Sequence, residues 1–131
     1  MNLERKTVLI QISNDRLRDA DVLLKQKRYN GAVYLGGYVI ECLLKAAICV
    51  HLNQDSLPVN YRTHELVELL YYSGLLFQLK SDQKLSRSFL AVKDWNVGIR
   101  YHGRHFKPAE TEQFITAVKE VRQWILRKIS P

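Results

Sequence analysis

Residues 31–50 read GAVYLGGYVIECLLKAAICV, and this stretch decides the class of the fold. Only two of its twenty residues, Glu41 and Lys45, are charged, and their separation of four positions places them side by side on a helix. A helix with apolar side chains on nearly every face is a buried helix. The stretch therefore predicts a central helix that the rest of the chain must cover.

A transmembrane helix is the alternative for this stretch, since about 20 apolar residues can span a bilayer. Two charged residues near the middle, two adjacent glycines, two tyrosines and the lack of a second apolar run of this length favour a packed central helix. We therefore expect no membrane association.

Helical periodicity flanks the apolar stretch on both sides. Apolar residues recur at helical spacing over residues 14–27, and again over 63–74, 85–99 and 114–129. Thr63 is the expected N-cap of the third helix and Gly74 its end. The breaks between helices are expected at residues 29–31, at the polar loop 53–60, and between Gly103 and Pro108.

The residues upstream of the first helix fit two structures. Val8, Ile10 and Ile12 alternate like a strand, but Leu9, Ile12 and Leu17 also suit an extension of the helix. We favour the extension.

The chain length and composition indicate one folded domain over residues 1–131. A chain of 131 residues, 47% hydrophobic and 25% charged, can bury a core without disulfides or metal. With five predicted helices and no convincing strand pair, the fold class is all-α, a compact antiparallel bundle of four to five helices.

The two cysteines and the N-terminus predict a cytoplasmic protein. Cys42 and Cys49 lie about 10 Å apart along one helix, too far to bridge each other, so they are expected to be buried thiols in a reducing compartment. Residues 1–13 lack the apolar segment and cleavage site of a signal peptide.

The net charge of +7 favours anionic partners such as nucleic acid or nucleotides. Charge alone does not select among them.

The central stretch also resembles the second helix of the HEPN (higher eukaryotes and prokaryotes nucleotide-binding) family. The similarity rests on a tyrosine, small residues, and then Ile-Glu-Cys-x-Leu-Lys-Ala: Tyr29, Ala32, Tyr34, Leu35, Tyr38, Ile40, Glu41, Cys42, Leu44, Lys45 and Ala46. A His64-Glu65-Leu66 helix start and an Arg100-Tyr101 pair before the last helix agree with the family in order and spacing.

This resemblance implies a helical bundle that pairs as a homodimer. Many family members resemble metal-independent ribonucleases, with an arginine and a histidine four to six residues apart that meet across the dimer cleft. Others resemble non-catalytic partners of nucleotidyltransferases, or nucleotide-binding modules. Both classes stay open for this chain, so whether it is an enzyme is open too.

Arg100 and His105 fit the arginine-histidine spacing. With ten arginines and four histidines, random placement gives about one such pair in a chain of this length, so the match gains its weight from its position before the last helix. In this hypothesis His105 is the general acid or base and Arg100 stabilises the phosphate during attack by the RNA 2′-hydroxyl. Because five residues of an unbroken helix would turn the two side chains apart, Gly103 is expected to break the helix between them.

Further residues complete the candidate site. Glu41 is expected to orient Arg100 or, alternatively, to pair with Lys45 alone. The supporting and RNA-contacting residues are Tyr101, His102, Arg104 and Lys107.

The alternative is a solvated basic loop over residues 100–107 without catalysis, in which Arg100 pairs with Glu41 or caps a helix end. Tyr101 and Lys107 depart from the residues of nuclease and toxin-like members. No metal and no cofactor are expected, and no chemistry is assigned to His51, His64, Trp95 or Trp124.

Overall fold

A computed structural model describes residues 4–95 and 105–130 of the chain. The described part contains α-helices joined by short connections, together with one 3₁₀ turn and no strand. The helices are α1 (Lys6–Lys25), α2 (Tyr29–His51), α3 (Leu66–Tyr72), α4 (Leu76–Lys80), α5 (Gln83–Val92) and α6 (Pro108–Ile129), and the 3₁₀ turn is Val59–Tyr61. The predicted all-α bundle is confirmed.

Helices α1 and α2 form a hairpin. Because α1 begins at Lys6, the extension of the first helix is confirmed and the strand is not formed. The chain reverses at residues 26–28, where Lys27 adopts a left-handed backbone with φ of 60°. The break predicted at residues 29–31 was wrong, because the left-handed turn comes before them and they already form the first turn of α2.

Helix α2 is the centre of the fold, as its sequence predicted. Fifteen of its 23 residues are buried, and it packs mainly against α1 and α6 and to a smaller extent against α3. It is long and apolar enough to cross a membrane, but 78% of its most apolar 18-residue stretch is buried inside the fold. Burial of this kind is typical of the core helix of a globular domain.

The segment between α2 and α6 differs from its prediction in detail. Gly74 does end α3, with φ of 77°. A short helix not anticipated, α4, follows at once because Leu75 and Leu79 continue the buried spacing. Thr63 is not the N-cap of α3: its hydroxyl accepts a hydrogen bond from the Glu65 N–H at 3.2 Å, and Glu65 is the capping position.

Helix α5 is shorter than predicted. Asp82 caps it by accepting a hydrogen bond from the Leu85 N–H at 3.0 Å, and the helix ends at Val92. Trp95 is buried just beyond that end. Ile99 and Gly103, the other residues used to place this helix and its break, lie outside the described residues.

Candidate functional site

The predicted site residues divide between described and undescribed parts of the chain. Arg100, Tyr101, His102 and Arg104 lie outside the described residues, so their roles stay predictions. His105, Lys107 and Glu41 are described, and their surroundings define what the structure says about the site.

His105 is exposed, and it is the first described residue after the undescribed segment. The next residue, Phe106, donates its backbone N–H to Asn30 Oδ1 at 2.9 Å. The exposed Lys107 then donates its N–H to Glu110 Oε1 at 3.0 Å, and Pro108 begins α6. Proline is favoured in the first turn of a helix. The hydrogen bonds of Phe106 and Lys107 therefore hold the backbone that directly follows His105.

Trp95, the last residue before the undescribed segment, packs against the same face of α2. Its ring centroid lies 4.9 Å from that of Tyr38 and 6.4 Å from that of Tyr34. The approach is close because position 37 is a glycine: a Cβ atom there would lie 2.1 Å from the indole ring. Contacts with α2 therefore hold the chain on both sides of residues 96–104.

Glu41 lies in a buried charged cluster at the other end of this face. Its side chain is only 4% exposed, and its Oε2 lies 3.2 Å from Lys45 Nζ. Lys45 also lies 3.6 Å from Glu4 Oε1. The predicted pair of Glu41 with Lys45 is thus present, but Glu41 does not pair with Lys45 alone, since His64 also contacts it. The predicted contact of Glu41 with Arg100 lies outside the described residues.

His64, to which the sequence analysis assigned no chemistry, contacts this buried acid. Its Nδ1 lies 3.0 Å from both carboxylate oxygens of Glu41, while its side chain is 56% exposed. Two features of the sequence pointed toward this contact: Glu41 in an apolar helix, with Lys45 as its neighbour, and His64 at the start of the next helix. Joining the two requires the packing of α3 on α2, which a residue pattern does not contain.

The face of α2 that links these groups is a row of side chains at spacings of three and four. We call it the α2 stripe, and it consists of Asn30, Tyr34, Tyr38, Glu41 and Lys45. The Tyr34 and Tyr38 hydroxyls lie 3.2 Å apart near its middle. Asn30 and Glu41 are eleven positions apart, about 16 Å at 1.5 Å per residue, so the Phe106–Asn30 contact next to His105 and the His64–Glu41 contact lie at separate places on α2.

A cavity of about 380 Å³ opens beside the Glu41 end of the stripe. Most of its lining comes from α1 and α2, and Glu4 and His64 complete it. The lining includes the apolar side chains of Leu9, Ile12 and Leu35, the ring of Tyr38, and the guanidinium group of Arg16.

Comparison with known families identifies the chain. The model of the HEPN domain family matches residues 7–129, which is nearly the whole sequence. The chain belongs to the HEPN domain family. No curated protein and no solved structure matches it.

Membership in the HEPN family confirms the resemblance on which the candidate site was based. It connects the chain with nucleotide-binding and ribonuclease-like proteins. It does not assign an activity, because the family contains both catalytic and non-catalytic members. Any choice between a catalytic and a non-catalytic role therefore depends on the surroundings of His105 and His64.

The two thiols of this HEPN domain are not nucleophiles at neutral pH. Burial, and after it the nearby Glu41 charge, raises the pKa of Cys42 to about 12. Burial also raises the pKa of Cys49. Both thiols are free and buried, as predicted, and their protonated state makes them part of the apolar core.

Metal ligation has no basis in the described part of this HEPN domain. Over residues 4–95 and 105–130, no three histidine, cysteine or acidic side chains are grouped to hold a metal ion. That metal and cofactors play no part in the function stays a prediction.

Proposed function

We propose that this HEPN domain is a metal-independent endoribonuclease that cleaves single-stranded RNA, with His105 as general acid or base and Arg100 stabilising the phosphate. The observation that carries the proposal is the place of His105: it is exposed, it lies three residues before α6, and its neighbour Phe106 is hydrogen-bonded to the start of α2. A general acid or base has to be both accessible and held in position.

The reaction is an internal transfer. A base removes the proton of the 2′-hydroxyl, the 2′-oxygen attacks the adjacent phosphorus, and the bond from phosphorus to the 5′-oxygen breaks. The leaving oxygen takes up a proton, so the products are a 2′,3′-cyclic phosphate and a 5′-hydroxyl end. Arg100 meets the charge that grows on the phosphoryl oxygens, since its planar fork matches two of them.

The proposal includes a homodimer in the cytoplasm. Family members of the ribonuclease type bring their arginines and histidines together across a dimer cleft, and two free buried thiols suit a reducing compartment. The net charge of +7, together with the exposed Lys107, supports attraction of the RNA backbone, to which Tyr101, His102 and Arg104 contribute in this proposal.

The test is incubation of the purified chain with end-labelled single-stranded RNA in EDTA. Arg100→Ala and His105→Ala are each expected to lower the cleavage rate by about 10²-fold or more, because each removes a transition-state interaction. His51→Ala is the matched control, since His51 is an exposed histidine at the far end of α2. Intact RNA, or equal cleavage by all variants, contradicts the proposal.

A second candidate function is a non-catalytic nucleotide-binding module that partners a nucleotidyltransferase. Tyr101 favours it, because nuclease members often carry a different residue after the arginine. In that case the same assay leaves RNA intact, while nucleotide binding is detected and is lost in Arg100→Ala.

A further inference from the structure

His64 is held in a defined orientation by a buried acid. Its Nδ1 lies 3.0 Å from both Glu41 oxygens, and the Glu41 side chain is 4% exposed. A neutral imidazole that donates from Nδ1 is an acceptor at Nε2, on the opposite edge of the ring. In this neutral tautomer the half-exposed ring presents an oriented acceptor to the outside of the cluster.

The other charges keep this orientation in place. Lys45 Nζ lies 3.2 Å from Glu41 Oε2 and 3.6 Å from Glu4 Oε1, and its side chain is 6% exposed. A buried carboxylate with a lysine at one of its oxygens has its charge compensated, so it can accept a hydrogen bond from the His64 ring and orient it.

The adjoining cavity has the size and the walls of a small-molecule site. Its volume of about 380 Å³ lies within the range of ligand pockets. Leu9, Ile12 and Leu35 provide apolar contact, and Tyr38 provides a half-buried aromatic ring. Arg16 lines the same space; its Nη1 donates to Asp19 Oδ2 at 2.9 Å, and its fork carries further N–H donors.

We propose that this cavity binds one ribonucleotide unit and that His64 selects ribose. A ribose 2′-hydroxyl donates to His64 Nε2, the phosphate accepts from Arg16, and the base packs on the apolar wall and Tyr38. His64 thus matches a hydrogen-bond donor, Arg16 matches an anion, and the apolar wall with Tyr38 matches a flat apolar ring. Because the 2′-hydroxyl is the donor that DNA lacks, the oriented acceptor distinguishes RNA from DNA.

The site is separate from the Phe106–Asn30 contact next to His105, about 16 Å away along α2 by helix rise. The nucleotide comes either from an RNA strand or from a free nucleotide in solution. Only the first source rests on the proposed ribonuclease function.

The experiment measures binding in the absence of cleavage. The His105→Ala protein in EDTA is titrated calorimetrically with adenosine 5′-monophosphate, with its 2′-deoxy analogue, and with a short single-stranded RNA and its DNA counterpart. This parent protein, His105→Ala, is expected to bind the ribose form about tenfold more tightly than the deoxyribose form. A difference of this size corresponds to one well-formed hydrogen bond to an oriented acceptor.

Two variants assign the preference to residues. In His64→Asn the amide nitrogen replaces Nδ1 toward Glu41 while Nε2 is lost, so the ribose preference is expected to disappear. Arg16→Gln is expected to weaken ribose and deoxyribose forms equally, by about tenfold, through loss of a charged phosphate contact. His51→Asn, at an exposed histidine away from the cavity, keeps the preference.

The outcomes separate the proposals. Equal binding of ribose and deoxyribose forms by the parent protein, or a preference that survives in a folded His64→Asn protein, overturns the ribonucleotide site. If His64→Asn does not fold, Leu35→Trp places a larger side chain in the cavity while Glu41 and His64 are left unchanged, and unchanged binding then overturns the ribonucleotide site. A ribose preference in a protein whose unmodified form cuts no RNA supports this site and contradicts only the ribonuclease proposal. Binding of the strand but not of the mononucleotide identifies RNA as the source, and binding of both identifies a free-nucleotide site.

Discussion

Glu41 holds two different side chains at once, and each has its own physical role. Lys45 is nearly buried and needs an opposite charge within a few ångströms. His64 is half exposed and needs only an orienting acceptor. The carboxylate therefore connects the interior of the bundle with the surface at the cavity.

Replacing Glu41 by glutamine tests the structural part of this role. We expect Glu41→Gln to lower the free energy of unfolding by about 3 kcal/mol, because the buried Lys45 charge loses its nearest partner. Urea denaturation measures the change. Glu112→Gln, at an exposed position of α6, is the control and should stay within about 0.5 kcal/mol. An equal effect of both substitutions would show that the cluster does not stabilise the fold.

Cys42 provides a prediction on pH. Its thiol has a pKa of about 12 in the folded chain because it is buried beside Glu41, against an ordinary value of 9.0. Alkylation of the native protein should therefore be slow at pH 8 and rise about tenfold per pH unit. The thiol ionises at a lower pH in the unfolded chain than in the folded chain. Its contribution to the free energy of unfolding is therefore retained below pH 9.0 and is lost as the pH rises from 9.0 toward 12. Mass spectrometry of iodoacetamide-treated protein, with and without urea, measures the labelling; identical rates in both would refute the prediction.

At the scale of the element, α2 is shaped by where its glycines stand. Gly37 lets the Trp95 ring lie directly on the helix backbone, and Gly31 lies beside the flexible end of Leu23. Both glycines are helical, so both lose intrinsic helix propensity relative to alanine. Of these two glycines, Gly37 is the one where the close contact explains the choice of residue.

The two alanine substitutions should thus change stability by different amounts. At Gly37 a new Cβ meets the indole at 2.1 Å, so Gly37→Ala should destabilise the domain by about 2 kcal/mol or more. At Gly31 the nearest atom is Leu23 Cδ1 at 3.1 Å, a side-chain end that can move, so Gly31→Ala should change stability by less than about 1 kcal/mol. Thermal unfolding followed by circular dichroism compares them, and similar melting temperatures for the two variants would contradict the packing described for Trp95.

At the scale of the whole molecule, the proposed ribonuclease depends on two chains. If Arg100 of one chain works with His105 of the other, Arg100→Ala and His105→Ala proteins are each inactive, but their mixed dimer contains one complete pair. After unfolding and refolding together in equal amounts, the mixture should regain about a quarter of the normal activity, since half the dimers are mixed and each has one working site. Cleavage of single-stranded RNA measures the recovery. Absence of recovery, in a mixture shown by mass to be dimeric, would place both residues of the site in one chain.

The sequence by itself determined the central helix and the family. Twenty nearly uncharged residues have to be buried, and this requirement follows from composition without knowledge of the neighbours. The same stretch carries the HEPN resemblance, which the family match over residues 7–129 confirms. The pair of Glu41 with Lys45 was also predictable, because helix geometry alone brings positions four apart together.

Only the tertiary structure decided which distant residues meet on α2. The hydrogen bond of Phe106 to Asn30 joins residues 76 positions apart, and the contact of His64 with Glu41 joins residues 23 positions apart. Periodicity describes the faces of single helices, whereas these contacts depend on how α3 and α6 dock on α2. Long-range packing therefore brought His64, which the pattern left without a role, to the buried acid of the central helix.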